Sequence, residues 1–236
     1  MIAGRSDWRR LLDLALPTLD YVFQNRDQAG QAAPDGVPDW TLGGGTAIML
    51  QIDHRISHDI DIFVPGTKLK AFTPAANPAA ALISPRFQWP GHHLKFERPE
   101  GETDFLSAGL LTEPGFTWRD LGGRLVALET PEEVIVKKIR YRSESFPARA
   151  AFDLAAVAAA RPGLEKVLAA EVDDALPRLV EALRVLREKG TAALAASIVP
   201  VGMGVALLPR TFDLAQAAVD RAAEIVRKRA GPVRKP

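Results

Sequence analysis

Trp40-Thr41-Leu42-Gly43-Gly44-Gly45-Thr46-Ala47-Ile48-Met49-Leu50 is the stretch on which the fold turns. Trp40-Thr41-Leu42 reads as a short strand, Gly43-Gly44-Gly45 as a tight turn, and Thr46 onward as the opening of a helix. A glycine turn leading from strand to helix lets backbone N–H groups approach an anion, and the helix N-terminus adds partial positive charge. Thirteen residues separate Gly45 from Asp59. That is room for a helix of about two to three turns and a return into the next strand. Asp59-Ile60-Asp61-Ile62-Phe63-Val64 then alternates charged with β-branched or aromatic residues, the period of a half-buried strand. Residues two apart on a strand share a face, so Asp59 and Asp61 project together while Ile60 and Ile62 enter the core. Two like carboxylates held that close repel, and a hard divalent cation between them relieves the repulsion. Taken alone, the pair also fits a solvated strand face with incidental acids.

Working outward, residues 94–98 and 103–106 look like two strands joined by the turn Pro99-Glu100-Gly101-Glu102. Asp104 on the second strand faces away from Thr103 and Phe105. If that strand pairs beside Asp59 and Asp61, three carboxylates converge on metal, and Asp104 is placed to act as general base on an attacking hydroxyl. Ser6 and Asp7 offer an N-cap to an N-terminal helix, residues 25–39 read as a loop, and residues 68–82 as a loop with one short helix. Thr130-Pro131-Glu132-Glu133 fits an N-cap with proline at the first helical position. Beyond it the chain reads as helical and rich in alanine. We therefore expect two domains, a mixed α/β core over residues 1–128 and a helical domain over 129–236 that closes the cleft.

Composition bounds the chemistry. The 236 residues are 47% hydrophobic and 25% charged, with 30 Lys and Arg against 29 Asp and Glu for a net charge of +1. Nucleic-acid binding through the overall field is therefore excluded, and any such binding needs a local patch. Cysteine is absent and only four histidines are present, which excludes disulfides and thiolate chemistry and leaves metal binding to carboxylates. The N-terminal residues, Arg5 among them, lack a signal-peptide layout. Residues 191–209 carry no charge, but Thr191, Ser197, Pro200, Gly202 and Gly204 mark them as buried core or loop plus helix, not a membrane span. The expectation is a cytoplasmic protein. Trp8, Trp40, Trp89 and Trp118 suit core packing first and base stacking second. The C-terminal cations Arg227, Lys228, Arg229, Arg234 and Lys235 suit a solvated helix end first and RNA steering second.

The blocks L-G-G-G-T-A-I-M-L (42–50), H-R-I-S-H-D-I-D-I-F-V (54–64), T-D-F-L-S-A (103–108) and T-P-E-E-V-I-V-K-K-I-R-Y-R (130–142), with A-R-A-A-F-D-L-A (148–155), resemble nucleotidyltransferase-fold proteins of the AbiEii/AbiGii toxin type. The resemblance implies an α+β nucleotidyltransferase core with a short mixed sheet followed by helices. It implies an enzyme that moves a nucleoside monophosphate from an NTP to an acceptor hydroxyl on RNA such as tRNA, or on protein, with Mg²⁺ or Mn²⁺ as cofactor. It also implies a toxin of a toxin–antitoxin or abortive-infection system, with a cognate antitoxin as partner. Carried over by position, Gly44, Gly45 and Thr46 hold the triphosphate, Asp59, Asp61 and Asp104 bind metal, and Lys138 joins the catalytic set. Arg55, Ser57, Lys137, Arg142, Arg149 and Asp153 are the further nucleotide-binding candidates. One exposed and one functional lysine are expected of the Lys137–Lys138 pair. Where the family usually reads A-R-D-x-F-D-L, this chain has Ala150 in place of the first acid. The alternatives are nucleotidylation of a small molecule such as an antibiotic, or an NTP- or partner-binding protein with weakened catalysis.

Overall fold

A computed structural model describes residues 6–24 and 38–230. Arg5, most of the 25–39 loop and the Arg234–Lys235 pair lie outside the described residues. The chain divides into two compact units, one of residues 1–47, 57–110 and 116–130, the other of 48–56, 111–115 and 131–236. Neither unit is one continuous piece of chain: two short excursions, 48–56 and 111–115, belong with the helical part.

The first unit holds a seven-stranded mixed sheet in the order β3-β4-β5-β2-β1-β7-β6. Its strands are β1 (Thr41–Gly43), β2 (Ile60–Phe63), β3 (Phe87–Gln88), β4 (His93–Arg98), β5 (Gly101–Leu106), β6 (Phe116–Asp120) and β7 (Leu125–Glu129). β2 runs parallel to β5 and β1 parallel to β7, while the remaining neighbours are antiparallel. Strand alternation does the sorting. Ile60, Ile62, Leu94, Phe96, Thr103 and Phe105 are buried on one face, whereas the intervening Asp61, Lys95 and Asp104 stay part-exposed on the other. The aromatic core on the buried face stacks Phe72 on Phe105 at 4.8 Å and sets Phe96 edge-on to Phe105 at 6.0 Å. Helix α1 (Trp8–Phe23) adds Leu11, Leu12, Ala15 and Leu19, a stripe at helical spacing.

Two expectations change here. The glycine run is no separate turn, because Gly43 ends β1 and Gly44 and Gly45 already form the first turn of α2 (Gly44–Ile52). Residues 68–82 hold two 3₁₀ helices, Leu69–Phe72 and Pro78–Leu82, rather than one short helix.

The second unit packs α3 (Pro131–Arg142), α4 (Ala148–Ala160), α5 (Leu164–Glu171), α6 (Leu176–Ala195), α7 (Gly204–Leu207) and α8 (Thr211–Ala230). Pro131 starts α3, where its missing N–H costs nothing. Residues 150–157 of α4 are buried in succession, and their alanines let α8 and α6 approach closely. The uncharged 191–209 stretch is the end of α6, a turn and α7. Among the described residues no helix is long and apolar enough to cross a membrane.

Candidate active site

Sheet pairing builds the first part of the site. Gly43 is in register with Asp61, and Asp61 with Asp104 on the parallel neighbour β5. The two carboxylates thus face the same side on adjacent strands. Asp104 is pushed up to about 7, first by burial and then by the negative charge of Asp61. Its Oδ1 is buried and has no hydrogen-bond partner among the described residues. Asp59 is held differently: its Oδ1 accepts the Glu102 N–H at 3.0 Å. The three acids do not form a closed cage, and no group of three or more His, Asp or Glu side chains poised for a metal occurs among the described residues.

Gly44 shows why glycine is required at the junction. It has φ +66°, and a Cβ there would lie 1.8 Å from Asp61 Oδ2. The donor chemistry fits a divalent cation: hard oxygens, adjacent, one buried and unsatisfied, beside a backbone that leaves no room for a side chain. We expect Gly44→Ala to lower stability by roughly 2 kcal/mol from backbone strain and displacement of Asp61. Nucleotide affinity should fall with it, read by thermal melting and by binding of an NTP.

Thr46 is fully buried and donates its hydroxyl to the Asp59 carbonyl at 2.5 Å. The hydroxyl thus ties α2 to the start of β2. Ser57 is also buried, and its carbonyl accepts the Ser6 hydroxyl, so a contact of Ser57 with nucleotide is not supported by its burial. Lys95, which the sequence reading passed over, is in register with Asp104 on β4 and pairs with Glu102 Oε2 at 2.5 Å. Burial would lower its pKa, but the Glu102 hydrogen bond and the charges of Asp104, Glu102 and Asp59 raise it.

The second unit assembles a buried charge network. Asp153 is fully buried, and its Oδ1 meets Arg55 Nε at 2.6 Å and His54 Nε2 at 2.8 Å. Its Oδ2 meets Arg55 Nη2 at 3.0 Å and Lys138 Nζ at 3.1 Å. Burial alone would push Asp153 up, yet Arg55, then Lys138 and the hydrogen bonds from His54 and Arg55 hold it well below the usual carboxylate range. Asp153, one of the nucleotide-binding candidates, thus lies wholly within this network, its carboxylate engaged by Arg55, His54 and Lys138. The Arg55 guanidinium, 6% exposed and clamped on Asp153, is likewise an internal group. Lys137 is buried against Glu133 at 3.2 Å, and Lys138 keeps 13% of its side chain exposed, so neither lysine is the expected exposed one. Arg142 and Arg149 are exposed. Ala150 is buried.

His54 was also unassigned from sequence. Its ring stacks on Phe152 at 5.8 Å, and the turn before α7 grips its backbone. Val201 N–H donates to the His54 carbonyl at 3.0 Å and Ile56 N–H to the Val199 carbonyl at 2.9 Å. A Cβ on Gly204 would lie 1.7 Å from the His54 oxygen. The signal available in sequence was the glycine pair Gly202 and Gly204, which marks close backbone approach. Trp40 is fully buried, whereas Trp89 and Trp118 are 45% and 37% exposed.

Residues 31–129 match the family model described as "Nucleotidyl transferase AbiEii toxin, Type IV TA system". No curated protein matches the chain. Among solved structures the chain is similar to MenT4, a nucleotidyltransferase toxin from Mycobacterium tuberculosis H37Rv. The two are 17% identical over 92% of this chain and 93% of that one, with a TM-score of 0.47. Residues 31–129, the stretch that carries the glycine junction and all three acids, are thus similar to the nucleotidyltransferase toxins of the AbiEii type.

Proposed function

We propose that the chain transfers a nucleoside monophosphate from an NTP to a hydroxyl of RNA, as the toxin of a type IV toxin–antitoxin pair. One observation carries the reading. In the first unit Gly43, which leads directly into the amino end of α2 at Gly44, shares one register row with Asp61 and Asp104. An anion cradle beside paired acids is what a metal-bound triphosphate needs. In the reaction the acceptor oxygen forms a bond to the α-phosphorus as the bond from that phosphorus to the bridging oxygen breaks. Pyrophosphate leaves with the electron pair, and the hydroxyl proton passes to the Asp104 carboxylate and then to solvent. Asp61 and Asp104, with Asp59 adjacent, would hold a divalent cation such as Mg²⁺ or Mn²⁺, which when bound would supply charge neutralisation on the phosphates. The backbone N–H groups at Gly44 and Gly45 bind the leaving phosphates, and Asp104 orients the acceptor.

The second reading, NTP binding without transfer, is favoured by Ala150 standing where the family carries an acid. One experiment separates the two. The protein is incubated with α-labelled NTPs, Mg²⁺ and total RNA, beside an Asp59→Ala plus Asp61→Ala variant. Label on RNA from the wild-type chain alone is the expected result. Tight NTP binding with no label on any acceptor would sink the transfer reading.

A further inference from the structure

Asp104 has a negative charge on one neighbouring strand and a positive charge on the other. Asp61 on β2, Asp104 on β5 and Lys95 on β4 are in register. Such side chains share a face of the sheet, on strands about 5 Å apart. The Asp104 carboxylate thus meets a like charge toward β2 and an ammonium toward β4.

Glu102 fastens this arrangement. It lies two residues before Asp104 on β5 and so on the same face. Its Oε2 accepts a hydrogen bond from the Lys95 ammonium at 2.5 Å, and its backbone N–H donates to Asp59 Oδ1 at 3.0 Å. One residue holds the lysine through its side chain and Asp59 through its main chain. The charges that act on Lys95 are those of Asp104, Glu102 and Asp59, so its own charge is spent inside the acid cluster. An exposed ion pair contributes little and is screened by salt. Arg184 with Glu188 on α6 is a pair of that kind, with side chains 55% and 63% exposed. Lys95 differs on two counts, since its side chain is 24% exposed and its partner also holds an acid of the site.

The chemistry of an ammonium decides what it does there. It has three N–H donors and no acceptor, so it bonds carboxylates and repels a metal ion. In two-metal transfer sites the ions stand about 3.5–4 Å apart. Sharing Asp104 between two such ions would place one toward Asp61 and the other toward Lys95. The Asp61 side adjoins the glycine junction, where a Cβ on Gly44 would lie 1.8 Å from Asp61 Oδ2. The other side already carries a fixed positive charge.

We infer that Lys95 is a positioning residue of this site, its ammonium taking the place of a second metal ion on the β4 side of Asp104 and holding the acids to one divalent cation. The inference rests on the nucleotide-transfer reading and names a charge that the chain supplies from its own sequence.

The test counts Mn²⁺ bound per full chain by the electron paramagnetic resonance of the free ion. Nucleotide is left out, so that an ion carried by a triphosphate is not counted. Wild type should bind one Mn²⁺, and an Asp61→Asn plus Asp104→Asn variant should bind none. Lys95→Gln should bind two, because Asp104 and Glu102 then face each other without a cation. Lys95→Met, which also lacks the charge, should repeat that count, and Lys95→Arg, which keeps it, should stay at one. Lys95 is part-exposed, so none of these changes opens the core. Lysine acting only as a structural support of the strand would leave the count at one in every Lys95 variant, and that result would overturn the inference. So would a wild-type chain that binds two ions or none, or a second ion in Lys95→Arg. The expected counts in a wild-type chain that moves no α-label from NTP to RNA would overturn the transfer reading and leave the role of Lys95 standing.

Discussion

Asp104→Asn is expected to make the metal-free protein more stable at pH 8 while lowering nucleotide transfer on the order of 10³-fold. The two effects have one origin. A half-buried carboxylate opposite Asp61 is held at about 7 by burial and like charge. Its folded pKa is raised above the unfolded value of about 4. Such a group contributes stability that is full below the unfolded pKa and is lost as pH rises through the folded one. In EDTA, the stability difference between Asp104→Asn and wild type should be near zero at pH 4. It should grow across pH 4–7 and level off above, at on the order of 4 kcal/mol. Urea melts of both proteins at several pH values measure it. A difference flat with pH would show that Asp104 is not under this repulsion. A transfer rate left intact would remove it from the chemistry.

Asp153→Ala is expected to cost roughly 3–5 kcal/mol, since it strands the Arg55 and Lys138 charges and the His54 ring that the carboxylate now binds. The pH dependence has the opposite sign. The folded pKa of Asp153 lies well below the usual carboxylate range, so its stabilisation is present above the unfolded pKa of about 4 and is lost as pH falls toward the folded one. Wild type should therefore lose stability more steeply below pH 4 than Asp153→Asn, which has no proton to gain at that position. Equilibrium unfolding in urea at pH 7 and pH 3 reads both effects. Equal acid sensitivity in the two proteins would mean that Asp153 is not held as a buried anion.

What could be read in the sequence depended on how local the cause was. The strand–glycine–helix junction and the Asp59–Phe63 alternation are written in neighbouring residues, and β1, α2 and β2 follow them closely. The hairpin of β4 and β5 was legible from the same period, which put Asp104 on the face opposite Thr103 and Phe105. β7 was not, because Val126, Ala127 and Leu128 are buried in succession, and a strand covered on both faces has no alternation to read. β6 has the reverse difficulty, being an edge strand with most of its residues in water. The fate of the charged candidates was less legible still. Helical spacing places Lys137 and Lys138 on α3 but does not say that Glu133 buries one and Asp153 holds the other. His54 and Asp153 are 99 residues apart, and only the folded chain joins them. Lys95 is visible as a cation within an alternating strand, yet its place in the acid row is a matter of register between strands.

The central claim is that the Asp61–Asp104 pair beside the Gly44 cradle transfers a nucleotidyl group. The most direct measurement supplies the wild-type chain with Mg²⁺, total RNA and NTP labelled in parallel on the α- or the γ-phosphate. Label from the α position should appear on RNA, and label from the γ position should appear only in released pyrophosphate, in equal amount. Label from the γ position on the acceptor, or release of inorganic phosphate instead of pyrophosphate, would contradict it.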